Sequence, residues 1–260
     1  MVRYSPDNLQ AAYECRYSWT AWPSIAPLPT LSPDDWSRLE KAWEQDGLRA
    51  LEKRIEPDQI QILFSAKPTA APVFITARAK GRLDHALRAA GIACQFSRKV
   101  ALRAVGHNTA QTVTNYIDSQ VDKEPFVDAA FADSIRRFTY TLSDPDRPIE
   151  VTRGRYWYHL HLVLVHAERY RIGSVNMLEQ VHDGCLQIAT RNGYALSAIS
   201  VMPDHLHLGV VGVIDQSPET IAMEFMNGVT ESLGMVLYRN SYYVGTSGAY
   251  DMDGIRRLFK

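Results

Sequence analysis

Cysteine is scarce: Cys15, Cys94 and Cys185 stand far apart among 260 residues, with no CxxC pair. That excludes a disulfide scaffold and fits buried, reduced thiols of a cytoplasmic protein. The opening MVRYSPDNLQ lacks an apolar stretch, so a secretory leader is not expected. No apolar run approaches the roughly 18 residues of a membrane helix, so no membrane partner is expected. An excess of either charge is also missing: 28 Lys+Arg against 29 Asp+Glu give a net charge of −1. Global charge therefore does not announce a nucleic-acid partner. Hydrophobic residues at 46% and charged residues at 22% exclude a disordered or collagen-like chain. The length suits one large domain or two of about 130 residues each.

Locally the charge is uneven. Residues 78–103 hold seven bases (Arg78, Lys80, Arg82, Arg88, Arg98, Lys99 and Arg103) and one acid, Asp84. Residues 215–231 hold four acids and no Lys or Arg. A solvated helix face accounts for such runs as readily as a phosphate-binding surface does.

Near the middle, LSDPDRPIEVTRGR (142–155) is polar, holds two prolines and reads as a linker between halves 1–141 and 156–260. In the second half, 156–165 (YWYHLHLVLV) reads as a strand, and 174–191 has helical apolar spacing before Asn192-Gly193. Strands at 194–201 and 205–214 flank the turn Met202-Pro203-Asp204, and Ser217-Pro218-Glu219 opens a second helix. A last strand is expected at 241–246. The order βαββαβ predicts a ferredoxin-like α+β sandwich with an antiparallel sheet.

An offset of 146 lays residues 47–87 of the first half on the second without gaps. Six of 41 positions are identical, and they fall on turns, helix starts and core faces: Gly47 on Gly193, Pro57-Asp58 on Pro203-Asp204, Pro72 on Pro218, Ile75 on Ile221, Leu87 on Leu233. Those are the places an internal duplication preserves. The expected architecture is two ferredoxin-like domains in one chain, a monomer acting as a pseudo-dimer.

The offset sets Gln59-Ile60-Gln61 against His205-Leu206-His207. An HxH pair on a strand puts both imidazoles on one face, about 6.5–7 Å apart. Two neutral imidazoles so placed suit one divalent metal, and equally suit two half-exposed strand histidines with none. A second pair, His159 and His161, with His166 beyond, lies on the first strand of that half and reads as surface or supporting histidines. In VTNYIDSQV (113–121), Tyr116 and Gln120 are four apart, which predicts one shared helix face after the capping residues Asn108-Thr109. Tyrosine can carry a covalent phosphodiester, and glutamine offers a neutral oxygen to a metal. An ordinary amphipathic helix fits the same spacing. The first half lacks the histidines, and the second lacks the Tyr-xxx-Gln pair.

Four stretches resemble the single-tyrosine HUH transposases of small bacterial insertion sequences and their relatives associated with repetitive extragenic palindromes. They are YWYHLHLVLVHAERYR, VMPDHLHLGVV, SYYVGTSG and VGHNTAQTVTNYIDSQ. The resemblance implies a DNA nuclease and strand transferase acting on single-stranded DNA, hairpins included. In that family the histidines of one subunit meet the tyrosine helix of the other. It implies Tyr116 as nucleophile, His205, His207 and Gln120 as ligands of Mg²⁺ or Mn²⁺, and a 5′-phosphotyrosine intermediate. Tyr243 and Tyr250 are rival nucleophiles, the basic residues of 78–103 would track DNA phosphates, and Tyr242 and Tyr243 could stack bases. Gln59, Gln61 and the short C-terminal end leave one composite site of two, so cleavage is the safer expectation than full transposition. Two alternatives stand beside this reading: a domesticated, non-cleaving binder of single-stranded or hairpin DNA, and a metal-dependent hydrolase using His159, His161, His205 and His207.

Overall fold

Ser32-Pro33 and Ser217-Pro218 start helices because serine accepts a first-turn N–H and proline is preset for the next position. In a computed structural model, which describes residues 3–24, 30–141 and 148–249, Ser32 accepts from the Asp35 N–H and Ser217 from that of Thr220. These helices belong to two βαββαβ runs. The first comprises β2 (Arg16–Pro23), α1 (Pro33–Gln45), β3 (Leu48–Glu56), β4 (Gln59–Ala66), α2 (Pro72–Ala89) and β5 (Phe96–Val105), with β1 (Gln10–Glu14) ahead of it. Between the runs lie α3 (Ala110–Asp118), α4 (Gln120–Lys123), α5 (Ala129–Arg136), β6 (Thr139–Thr141), β7 (Ile149–Val151) and β8 (Gly154–Trp157). The second run is β9 (His159–His166), α6 (Val175–Asn192), β10 (Ala195–Val201), β11 (His205–Val211), α7 (Pro218–Leu233) and β12 (Tyr238–Thr246).

The strands form two six-stranded sheets, ordered β1-β12-β9-β11-β10-β6 and β3-β4-β2-β5-β8-β7. Within each run the four strands take the same spatial order, fourth-first-third-second, and pair antiparallel. The segments leading into the two runs are exchanged. β1 precedes the first run but pairs in parallel with β12, and β8 precedes the second run but pairs in parallel with β5. Where the helices begin, the Val73 N–H donates to the Ile214 carbonyl and the Glu219 N–H to the Pro68 carbonyl. The 146-residue offset turns each of these bonds into the other, the pattern of a self-complementary contact.

Apolar residues facing the helices fill the core. Trp36, Leu39 and Trp43 of α1 meet Ile75, Ala79, Leu83 and Leu87 of α2. The Trp43 ring stands edge-on to Phe64 at 5.1 Å, and its Nε1–H donates to the Ala79 carbonyl. Leu178, Val181, Cys185 and Ile188 of α6 and Ile221, Phe225 and Val229 of α7 cover the other sheet. Among the described residues no helix is long and apolar enough to cross a membrane.

Two boundaries differ from the sequence expectation. Where it is described, the expected linker 142–155 is sheet: β7 and the start of β8 extend the sheet of the first run. The expected strand at 156–165 is broken at Tyr158, so β8 joins one sheet and β9 the other. Tyr158 is buried at the crossing, 6.4 Å from the Tyr17 ring, and its hydroxyl donates to the Gln216 carbonyl. An unbroken apolar run carries no sign of such a change of sheet.

Candidate active site

The turn at 202–204 hinges β10 onto β11, with the Met202 N–H donating to the His205 carbonyl. Leu206, Leu208 and Val210 are buried toward the helices, so the alternation of the strand turns His205 and His207 to the outer face. Their rings lie 4.9 Å apart and nearly perpendicular. Asp204 Oδ1 stands 2.7 Å from His205 Nδ1. Burial alone would raise the Asp204 carboxyl, but the bond and charge of His205, with Arg171 and Arg169, outweigh it and hold it low.

A third imidazole joins them. His161 of β9 lies opposite Gly209 of β11 and Gly245 of β12, so neither cross-strand partner presents a side chain beside its ring. Its ring is nearly parallel to that of His207, 19° apart with centroids at 5.3 Å, and His161 Nε2 is 3.0 Å from His207 Nδ1. Burial lowers the pKa of His161 to about 4. Burial, followed by the charges of His161, His205 and Lys123, lowers that of His207 to about 2. Both rings are therefore neutral at neutral pH, the form in which imidazole binds metal.

The tyrosine comes from α3, in the segment between the two runs. Thr109 caps α3 by accepting the Thr112 N–H, and α3 packs against β6, β10 and β11 through Ala110, Thr114 and Ile117. This sets the Tyr116 ring edge-on to His207 at 5.6 Å and to His161 at 5.9 Å, with 44% of the residue still exposed. Lys123 Nζ sits 4.2 Å from the centre of the Tyr116 ring.

Gln120 departs from the expected shared helix face. α3 ends at Asp118, and Gln120 opens the short α4. Ser119 Oγ and Gln120 Nε2 both donate to the Tyr116 carbonyl, at 3.0 and 2.6 Å, in place of continued helix bonding. Gln120 is buried there, and its amide oxygen is the acceptor it retains.

In His205 and His207 the Nδ1 atoms are engaged, by Asp204 and His161, and the Nε2 atoms are what remain. Imidazoles held through one nitrogen suit a metal at the other, so this donor set fits a divalent cation. Among the described residues no three or more His, Cys, Asp and Glu side chains form a group that could hold a metal. The four-histidine site of the hydrolase alternative is thus not assembled.

The basic cluster is divided. Arg82 is bidentate to Asp46, Arg78 lies near Asp46 and over Phe74, Arg88 pairs with Asp84, and Lys80 donates to the Ser97 carbonyl. A shallow recess of about 360 Å³ on α2 is lined by Arg78, Arg82, His85 and Arg88. Arg98 and Lys99 are exposed. Arg103 sits over Trp157 and beside Ser18 on the sheet face away from α2, so the seven bases do not share one surface. Tyr243 is part-exposed and edge-on to His161 at 6.0 Å. Tyr242 is buried, which removes it as a base-stacking surface, and Tyr250 lies outside the described residues. Lys123 is the neighbour that sequence reasoning missed, and His161 is one it singled out only as a surface or supporting histidine or as a ligand of the hydrolase alternative. Their approach depends on strand register and helix docking, for which no local motif exists.

Residues 155–257 match the family model of IS200-like transposases, and the chain resembles that family. The match takes in His161, His205, His207 and Tyr243 and leaves Tyr116 outside. No curated protein matches the chain. Among solved structures, a Deinococcus radiodurans R1 protein described as a transposase is similar over 38% of this chain and 84% of its own, at 20% identity and a TM-score of 0.32. The ligand-free regulatory subunit of aspartate kinase from Thermus thermophilus is similar over 84% of this chain and 92% of its own, at 10% identity and a TM-score of 0.20.

Proposed function

We propose that the protein cleaves single-stranded DNA by transesterification in one composite site, with Tyr116 as the nucleophile and the β11 histidines beside it. The carrying observation is the docking of α3 on β10 and β11, which brings the Tyr116 ring 5.6 Å from that of His207, 91 residues on. The match of 155–257 to IS200-like transposases supports DNA as partner and transposase chemistry as class. We read the chain as a monomeric pseudo-dimer of two ferredoxin-like halves. The common strand order, the exchanged β1 and β8, and the reciprocal bonds of Val73 and Glu219 support that reading.

In the proposed step Tyr116 Oη attacks the scissile phosphorus in line, the P–O3′ bond breaks, and the 5′ phosphate stays on the tyrosine. The phenolic proton passes to solvent and the departing 3′ oxygen takes one up, leaving a free 3′-OH. The phosphotyrosine ester conserves the bond energy, so rejoining needs no nucleotide cofactor. Mg²⁺ or Mn²⁺ held by His205, His207 and Gln120 would polarise the phosphate and offset its charge. Asp204 orients His205, and burial keeps His207 neutral. Lys123 steadies the Tyr116 ring and adds positive charge where a phosphate would enter. Arg98 and Lys99 offer further phosphate contacts, and Tyr243 a stacking surface. With glutamines at 59 and 61, cleavage and rejoining at one site is the reaction proposed.

The test uses a pool of 3′-labelled single-stranded oligonucleotides with Mn²⁺ and a denaturing gel. Wild-type protein should retain label as a covalent adduct, and Tyr116→Phe should lose it while still binding DNA. An adduct surviving in Tyr116→Phe would move the nucleophile to Tyr243 or Tyr250. Wild-type binding without any adduct would leave a DNA-binding protein that does not cleave.

A further inference from the structure

His161 is the group of the site that the proposed reaction leaves without a task. It lies on β9, outside the His205-His207 pair, and its Nε2 is 3.0 Å from His207 Nδ1 with the rings nearly parallel at 19°. Glycines on both neighbouring strands, Gly209 and Gly245, keep side chains away from its flanks. A Cβ at Gly209 would come 2.4 Å from Ser197 Oγ, and one at Gly245 would come 2.6 Å from the Tyr243 hydroxyl. The ring contacts that fix His161 are therefore His207, Tyr116 and Tyr243.

We infer that His161 is a positioning residue that selects the tautomer of His207: its Nε2 accepts a hydrogen bond from the His207 Nδ1–H, so that His207 Nε2 keeps a lone pair free for a cation. Two neutral imidazoles joined by one hydrogen bond must divide the roles, one donating and the other accepting. If His161 donated instead, His207 Nε2 would carry the proton and could not bind a cation. The inference rests on the proposed role of His207. It also makes a claim about protons that holds or fails without any reaction. Acceptance at Nε2 obliges His161 to carry its own proton on Nδ1, so both rings share one tautomer. In His205, Asp204 imposes the same choice, since a carboxylate can only accept from Nδ1–H.

Long-range ¹H–¹⁵N spectra of histidine-labelled protein at about pH 8, where neutral imidazole prevails, report the tautomer directly. Wild-type protein should show His207 and His161 both protonated at Nδ1. His161→Phe should return His207 to the Nε2–H form that free imidazole prefers, whereas His161→Gln, which keeps an acceptor, should preserve Nδ1–H. Manganese uptake followed by electron paramagnetic resonance gives a second reading. His161→Phe should weaken it by roughly 10- to 100-fold and His161→Gln by less than about threefold. His207 protonated at Nε2 in the wild type overturns the inference, as does an unchanged His207 tautomer in His161→Phe. Nδ1–H on both rings without manganese uptake upholds the inference and removes the metal from the proposed function.

Discussion

The outer faces of the two sheets occupy equivalent places and differ in chemistry. His207 lies opposite Val163, whose other neighbour is Tyr243; Gln61 lies opposite Thr20, whose other neighbour is Ala101. One row offers an imidazole and a phenol, the other an amide, a hydroxyl and a methyl group. Gln61 is 1% exposed and donates its amide to Ser18 Oγ, while the histidine face receives α3 and its half-exposed tyrosine. One strand order thus carries the face proposed to react and a face without its histidines or tyrosine, and the difference lies in a handful of side chains.

The comparison breaks most completely at the histidines. His205→Ala or His207→Ala should abolish adduct formation, whereas Gln61→Ala should leave it at the wild-type level and cost about 1 kcal/mol of stability for the lost hydrogen bond. Thermal melts beside adduct gels would show it. Converting Gln59→His and Gln61→His together should create no second activity, because no tyrosine helix of the described residues docks on that face. A doubled adduct yield would contradict the idea of an inert face. The scaffold can be challenged at Trp43, fully buried between α1, α2 and Phe64. Trp43→Ala should cost about 3–5 kcal/mol. Because β1 and β8 are exchanged between the sheets, both halves should melt together in one calorimetric transition.

Smaller effects sharpen the charge comparison. Arg98→Ser with Lys99→Ser should weaken single-stranded DNA binding and flatten the logarithmic salt slope by about 1.4, or 0.7 for each lost contact. An unchanged slope in a fluorescence titration would place the strand elsewhere. Asp46 is the mildest case. Its hydrogen bond from Arg82 holds the carboxyl below its ordinary range. A depressed folded-state pKa contributes stability above the unfolded value that is lost as pH falls through the folded one. Asp46→Asn should therefore flatten the acid limb of stability against pH, by under about 1 kcal/mol for a pair this near the surface.

Much of this was legible locally. Ser32-Pro33 and Ser217-Pro218 announce their helices and the Pro-Asp turns announce their hairpins, whereas the reciprocal bonds between Val73 and Ile214 and between Glu219 and Pro68 were not foreseen. What escaped was set by tertiary contact. The change of sheet at Tyr158 leaves no mark in YWYHLHLVLV, since strands of both sheets are apolar there. His161 looked peripheral because its approach to His207 depends on Gly209 lying opposite it in the ladder. Tyr116 and Gln120 fall on two short helices instead of one, because Ser119 and Gln120 turn their side chains back on the Tyr116 carbonyl.

The central claim is that a tyrosine from one half works against the histidines of the other. The most direct test digests the DNA adduct with trypsin and nuclease and locates the nucleotide by mass spectrometry. Cleavage after Arg103 and Lys123 isolates Tyr116 on the peptide 104–123, AVGHNTAQTVTNYIDSQVDK. The account predicts the nucleotide on that peptide, at Tyr116. A nucleotide on the peptide 240–256, which carries Tyr243 and Tyr250, would confine the chemistry to the second half and contradict it.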